Sequence, residues 1–286
     1  MISKRAVSVL IFLLMVSGGY AQSDSIITAS PDSIIKKQEV YKLKLGVDIP
    51  IIAVGTGWSV FAFTKIYQKP RPTEEQINNL KTSDINSFDR WAVTPYSQNM
   101  HNMSQYPFLG SIPLPLLFFL TSKETRNDFW KLTFLYWETM SVTGLTGTMA
   151  TYNVDRYRPY TYSTETPMET RTGHVAKNSF YAGHVQVVAT PTFFVATVFA
   201  DYHPDSKLKW LVYGGAAVAT LTTGYFRLAG GFHFPTDILL GTATGVLAGI
   251  MVPHSHRIKP GKNSGMSLLP FSSGDINGLT FTYKWK

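Results

Sequence analysis

Two long apolar segments, Leu208–Phe226 and Thr236–Val252, stand almost end to end, parted only by Arg227-Leu228-Ala229-Gly230-Gly231-Phe232-His233-Phe234-Pro235. That arrangement constrains the fold more than any other feature. As a helix, each segment runs roughly 27 Å, and so short a connector returns the chain antiparallel to itself. The expected unit is a helical hairpin with Arg227, His233 and Asp237 at its mouth. Pro235 is suited to a place just inside a helix start. If the second helix already runs at His233, then His233 and Asp237, four apart, share a face. A carboxylate so placed can hold one imidazole nitrogen and leave the other free to react. The small-residue turn Ala229-Gly230-Gly231 lets backbone and the Arg227 guanidinium close around a compact anion. An arginine, a histidine and a carboxylate gathered this way point to phosphate chemistry.

The rest of the chain supplies more apolar runs. Val185–Ala200 is uninterrupted, and Phe129–Ala150 carries Glu138, Gly144 and Gly147. Glu138 reads as a hydrogen-bonded carboxylate facing neighbouring helices. Tyr106–Thr121 contains Pro107, Pro113 and Pro115, so it is expected as a kinked or short helix. Leu45–Phe63, with Asp48, Pro50, Gly55 and Gly57, is the weakest span and is expected on or beside a membrane rather than across it. Gly241, Gly245 and Gly249 recur every four residues, a stripe that lets helices approach closely. The expected fold is all-α: a bundle of about six apolar helices, with a short extended C-terminal tail that alternates at Leu279–Tyr283.

The organisation expected is a leader over 1–22, a lead-in with a weak apolar helix and a polar loop over 23–106, a helical core over 107–253 and a tail over 254–286. Lys4 and Arg5 before the run Ala6–Val16, with Gly19-Tyr20-Ala21 after it, predict a cleaved secretory signal. Net charge is +8, but the cations are dispersed, which argues against nucleic acid as a partner. Apolar residues make up 44% and charged residues 15%, a low charged share for a soluble protein. There is no cysteine, which excludes disulfides and thiolate metal sites.

Polar residues collect at one end of the expected bundle. His184 opens the run Val185–Ala200, Arg227 closes the next, and the turn Asp201–Lys207 between them is short. Arms of equal length bring His184 back to the level of Arg227 and His233. The loop before His184 adds Arg156, Arg158, Arg171, His174 and Lys177. His174 and the distant His101 read as incidental.

These residues resemble the three motifs of the type 2 phosphatidic acid phosphatase (PAP2) superfamily, over roughly residues 110–253. That superfamily includes membrane lipid phosphatases, soluble periplasmic acid phosphatases and vanadium haloperoxidases. Its third motif, Ser-Arg, five residues, His, three residues, Asp, matches Phe226-Arg227, His233 and Asp237. Its second, Pro-Ser-Gly-His, matches Tyr181-Ala182-Gly183-His184. Its first, Lys, six residues, Arg-Pro, matches Thr151 and Arg158-Pro159. The resemblance implies a helical fold of the chloroperoxidase kind and the membrane lipid phosphatase branch. It implies a phosphoric monoester hydrolase that uses no metal and no cofactor. His233 is then the nucleophile that becomes phosphorylated, Asp237 its orienter, and His184 the acid and later the base. Arg158, Arg227, Gly183 and Arg156 hold the phosphate, Arg156 standing in for the family lysine. Thr151 lacks that lysine's cation and Ala182 lacks a hydroxyl donor. Alternatives are phosphotransfer between lipids at the same site, or a phospholipid-binding membrane protein that has lost catalysis. The implied partners are a lipid phosphate or diphosphate and a membrane. Lys123, Arg126, Lys207, Lys209, Arg257 and Lys259 lie toward the opposite end, so the positive-inside rule predicts a bacterial envelope protein with a periplasmic active face.

Overall fold

A computed structural model describes residues 39–258, 266–273 and 276–283. The expected leader, and the lead-in as far as residue 38, lie outside the described residues. Seven helices organise the rest: α1 (Leu45–Ile66), α2 (Gln98–Ser111), α3 (Leu114–Phe119), α4 (Phe129–Asn153), α5 (Gly183–Tyr202), α6 (Leu208–Ala229) and α7 (Pro235–His256). Short helical turns occupy the loops between them. The expected bundle is present as five long helices, with the proline-rich segment broken into α2 and α3.

Helix α5 is the central post. Val185, Val188, Ala189, Phe194 and Val198 on it are fully buried, whereas α1 and α7 turn much of their apolar surface outward. The glycine stripe explains how α7 reaches α5. A Cβ at Gly241 would fall 2.7 Å from the Ala182 carbonyl oxygen, one at Gly245 2.6 Å from that of Gln186, and one at Gly249 2.6 Å from that of Thr190. No other residue allows this backbone-to-backbone contact. A second apolar cluster joins Tyr41, Phe119, Leu132, Leu135 and Phe194 at the far end of the bundle.

Helices α1, α5 and α7 are long and apolar enough to cross a membrane. For α1 this departs from the expectation of a weak span. Pro50 does not break it, and it runs for 22 residues with Val47, Val54, Phe61 and Phe63 exposed. A proline in an early turn removes one hydrogen bond, and the remaining ladder carries the helix on. Its inner face lies against α4, where a Cβ at Gly55 would sit 2.6 Å from the Ser141 carbonyl oxygen.

Two boundaries also differ. The polar loop expected at the end of the 23–106 lead-in gives up its last residues to α2, which Ser97 caps by accepting from the Met100 amide at 3.4 Å. The tail is more than one extended segment: β1 (Met266–Ser273) and β2 (Ile276–Tyr283) pair antiparallel, with Leu268 opposite Phe281.

Candidate active site

Helix α6 ends, a tight turn follows, and α7 begins. Gly231 takes φ 75°, and a Cβ there would lie 2.7 Å from the Thr94 carbonyl oxygen, so glycine is required on both counts. The turn tucks Phe232 inward. Its ring lies under two guanidinium groups, with Arg227 Cζ 3.9 Å and Arg158 Cζ 5.4 Å from the ring centroid. Arg158 reaches the site from the loop before α5, fixed by its own amide to the Ala176 carbonyl at 2.8 Å and by Nη2 to the Asn178 carbonyl at 3.2 Å.

Both guanidinium groups are buried, Arg227 at 1% and Arg158 at 9% exposure. Neither forms an ion pair among the described residues, and the Nε of each has no hydrogen-bond partner. Burial pushes the Arg158 guanidinium below its usual range. Holding an uncompensated cation out of water costs several kcal/mol, a cost that an anion placed between the two would offset.

His233 stands beside them, 2% exposed. Its Nδ1 donates to the Ser179 carbonyl at 2.7 Å, which places the proton on Nδ1 and the lone pair on Nε2. Burial, then the charges of Arg227 and Arg158, holds this imidazole well below its usual pKa, so it is neutral. His184, in the first turn of α5, is near enough to act on it electrostatically. Gly183 opens the same helix with nothing within 4 Å of where its Cβ would be. The first-turn amides of α5 have no intrahelical acceptor.

Two expectations are corrected here. Helix α7 starts at Pro235, so His233 precedes it and does not share a helical face with Asp237. Asp237 bonds instead to the Phe234 amide at 3.0 Å and accepts from Ser179 Oγ at 2.7 Å. It therefore holds the residue whose carbonyl holds the imidazole. Arg156, expected to hold phosphate, is engaged instead by two buried carboxylates. Nη1 meets Asp237 Oδ1 and Nη2 meets Asp89 Oδ2 at 2.6 Å. Asp89 also accepts from Thr236 Oγ1 at 2.6 Å and from the Thr236 amide at 3.0 Å. Burial alone would raise the Asp89 carboxyl, but bonds from Thr236, Asn86 and Arg156 outweigh it and hold the group below its usual range. Nothing in the polar loop singles out Asp89 by sequence.

Helix α2 brings residues that the sequence passes over. His101, Ser104 and Gln105 are spaced three and four apart and share one face. Arg227 Nη1 donates to His101 Nδ1 at 3.1 Å and to Ser104 Oγ at 3.3 Å. His101 therefore carries its proton on Nε2. Its pKa is lowered by burial and by the charges of Arg227 and Arg158. The Gln105 amide lies 3.2 Å from Nε2 of both His101 and His184. The structure points the amide nitrogen at both rings, but a proton on His101 Nε2 needs an acceptor there, so we assign the flipped amide, with its oxygen facing the two rings. The His184 ring stacks on Phe108 at 4.4 Å.

Other candidates lie apart. Lys177 pairs with Asp155 at 3.4 Å, His174 accepts from Arg71, and Arg171 donates to the Thr161 carbonyl. Thr151 bonds back to the Gly147 carbonyl, while its own carbonyl accepts from Lys69 Nζ at 2.6 Å. An ammonium is thus present beside position 151, delivered from another segment and paired with Asp155 at 2.7 Å.

Residues 132–259 match the model of the PAP2 superfamily. The matched segment is similar to that superfamily. It contains α5, α6 and α7 with Arg158, His184, Arg227, His233 and Asp237, and most of α4. Helix α2 and Asp89 precede it. Among solved structures, the chain aligns with the first transmembrane PAP2-type phosphatidylglycerolphosphate phosphatase from Bacillus subtilis at 18% identity. The alignment covers 73% of this chain and 94% of that one, with a TM-score of 0.43. No curated protein matches the sequence significantly.

Proposed function

We propose that the protein is a phosphatase that cleaves a lipid phosphate or diphosphate through a phosphohistidine on His233. The observation that carries this reading is the pair of buried guanidinium groups, without a carboxylate partner among the described residues, beside a neutral imidazole with Nε2 unprotonated. Arg158 and Arg227 bind the equatorial phosphate oxygens, where charge builds in the transition state. His233 Nε2 attacks phosphorus. The bond to the leaving oxygen breaks, and that oxygen takes a proton from His184. In the second step His184 removes a proton from water, the resulting hydroxide attacks phosphorus, and the P–N bond electrons return to His233. Asp237 and Arg156 act as positioning residues through Ser179.

The apolar rim supports a lipid substrate. The outer side of α2 exposes Tyr106 at 71% and Leu109 at 61%, next to the cationic pocket on its inner side. An amphiphile can place its headgroup among the arginines and its chains along that surface. With α1, α5 and α7 spanning a bacterial envelope membrane, the positive-inside rule places the pocket on the periplasmic face.

The test is release of inorganic phosphate from phosphatidate, phosphatidylglycerol phosphate and a polyprenyl diphosphate by the detergent-solubilised protein, against His233→Ala. Equal release by both ends the phosphatase reading. Thr151 and Ala182 support the second reading, a phospholipid-binding protein without turnover. That reading demands binding of a lipid phosphate with no release and no phosphohistidine.

A further inference from the structure

At the opposite end of α7 lies a second cluster of buried polar groups, about 30 Å along the helix from Pro235. Asp48 of α1, Glu138 of α4 and His256 of α7 are 1%, 3% and 5% exposed. Each presents one electron-rich atom, and these atoms all lie within 4.8 Å of one another. His256 Nε2 is 3.1 Å from Asp48 Oδ1 and 3.3 Å from Glu138 Oε2.

The His256 tautomer decides what such a cluster needs. Nδ1 donates to the Val252 carbonyl at 2.9 Å, so in the neutral ring Nε2 carries a lone pair. That lone pair faces two carboxylate oxygens, and the three atoms repel one another unless something positive sits between them. A proton on Nε2 would satisfy Asp48 alone. Glu138 Oε2 would still accept no hydrogen bond, although it is buried inside an apolar helix. A cation that all three atoms share removes the defect, and a proton held by the Glu138 carboxyl is the rival that the pH arm of the test excludes.

We propose that Asp48, Glu138 and His256 bind one divalent cation of the Zn2+ class, which ties α1, α4 and α7 together. Ligands about 2.0–2.2 Å from zinc stand roughly 3.3 Å apart when tetrahedral, close to both distances from Nε2. One imidazole nitrogen and two carboxylate oxygens form a donor set suited to zinc or manganese. The supporting contacts are those of a metal site: Nδ1–H of His256 is anchored on a carbonyl, and the second oxygen of Asp48 accepts from the Lys44 amide at 2.6 Å. Two carboxylates and a neutral ring carry a charge of −2, which one divalent ion cancels. A cavity of ≈ 500 Å³ lined by Lys42, Lys44, Ser255, His256 and Arg257 touches the cluster at His256.

The test uses the full chain in detergent, tag removed, stripped with chelator and titrated with Zn2+ alone. The expected result is one equivalent bound and a higher melting temperature. Binding weakens at least 100-fold in both Glu138→Gln and His256→Gln, while phosphate release per folded molecule is unchanged. Failure of the wild-type protein to bind a stoichiometric ion overturns the proposal, whether or not the variants fold. So does retention of the ion by Glu138→Gln. A melting temperature that follows pH and ignores metal identifies a protonated ion triad and likewise overturns it. Absence of phosphatase activity leaves the titration untouched, so the two readings fail separately.

Discussion

The two ends of α7 are opposites. At its N-terminal end two guanidinium groups meet with no carboxylate paired to either among the described residues, and the nearby histidine is fixed with its lone pair free. At its C-terminal end two carboxylates meet at a histidine, with Glu138 Oε2 unsatisfied. In both places a backbone carbonyl sets the tautomer, Ser179 at one end and Val252 at the other. Buried charge of one sign is tolerated where a ligand of the other sign completes it. One end is therefore built for an anion and the other for a cation.

That contrast can be broken most sharply at His233. Its replacement by alanine is expected to lower phosphate release by about 10⁴-fold or more, with the fold retained, as measured by turnover and melting temperature. Arg227→Ala is expected to cost about 10²–10³-fold in kcat, since one transition-state donor is lost, and to weaken vanadate inhibition in parallel. Zinc binding at the far end should not respond to either change; a loss there would show that the two ends are not independent. Asp237→Ala removes one of the two carboxylates on Arg156 and is expected to destabilise the protein by about 3–5 kcal/mol in denaturant unfolding.

The effect of pH is smaller and its sign follows from burial. His233 refuses a proton at pH values where an ordinary imidazole, near about 6.5, accepts one. The acidic limb of kcat/KM governed by this nucleophile should therefore lie below that value. Between its depressed folded pKa and about 6.5 the unfolded chain binds the extra proton. The His233 contribution to stability is thus full above about 6.5 and is lost as pH falls through that window. The smallest change is expected from Gln105→Ala, roughly a few-fold in kcat, confined to the limb governed by His184.

What could be read from the sequence follows from how far apart the cooperating residues lie. Arg227, His233 and Asp237 belong to one helix end, a turn and one helix start, so their spacing fixes their meeting. The glycine stripe on α7 is likewise a local pattern with a local meaning. Asp89, His101 and Gln105 come from a polar stretch distant in sequence, and only tertiary packing gives them a role. His101 was unremarkable because α2 reverses the usual amphipathic code, with its polar side toward the pocket and its apolar side outward. The part of Asp237 depended on whether α7 began two residues earlier, a boundary set by Pro235. Arg156 and Arg158, two positions apart in one loop, differ only in whether a carboxylate waits beside them. The proline and glycines of α1 make it look a weak span in sequence, yet the contact at Gly55 puts one of those glycines to use.

The bond from His233 to the Ser179 carbonyl has an evolutionary side. A main-chain oxygen cannot be deleted by any codon change at its own position. Drift at residue 179 could slacken the grip of Asp237 on that loop, yet the acceptor itself would survive. The reactive ring is thereby insulated from the commonest kind of genetic error, and damage to its alignment must come from shifts in the surrounding backbone.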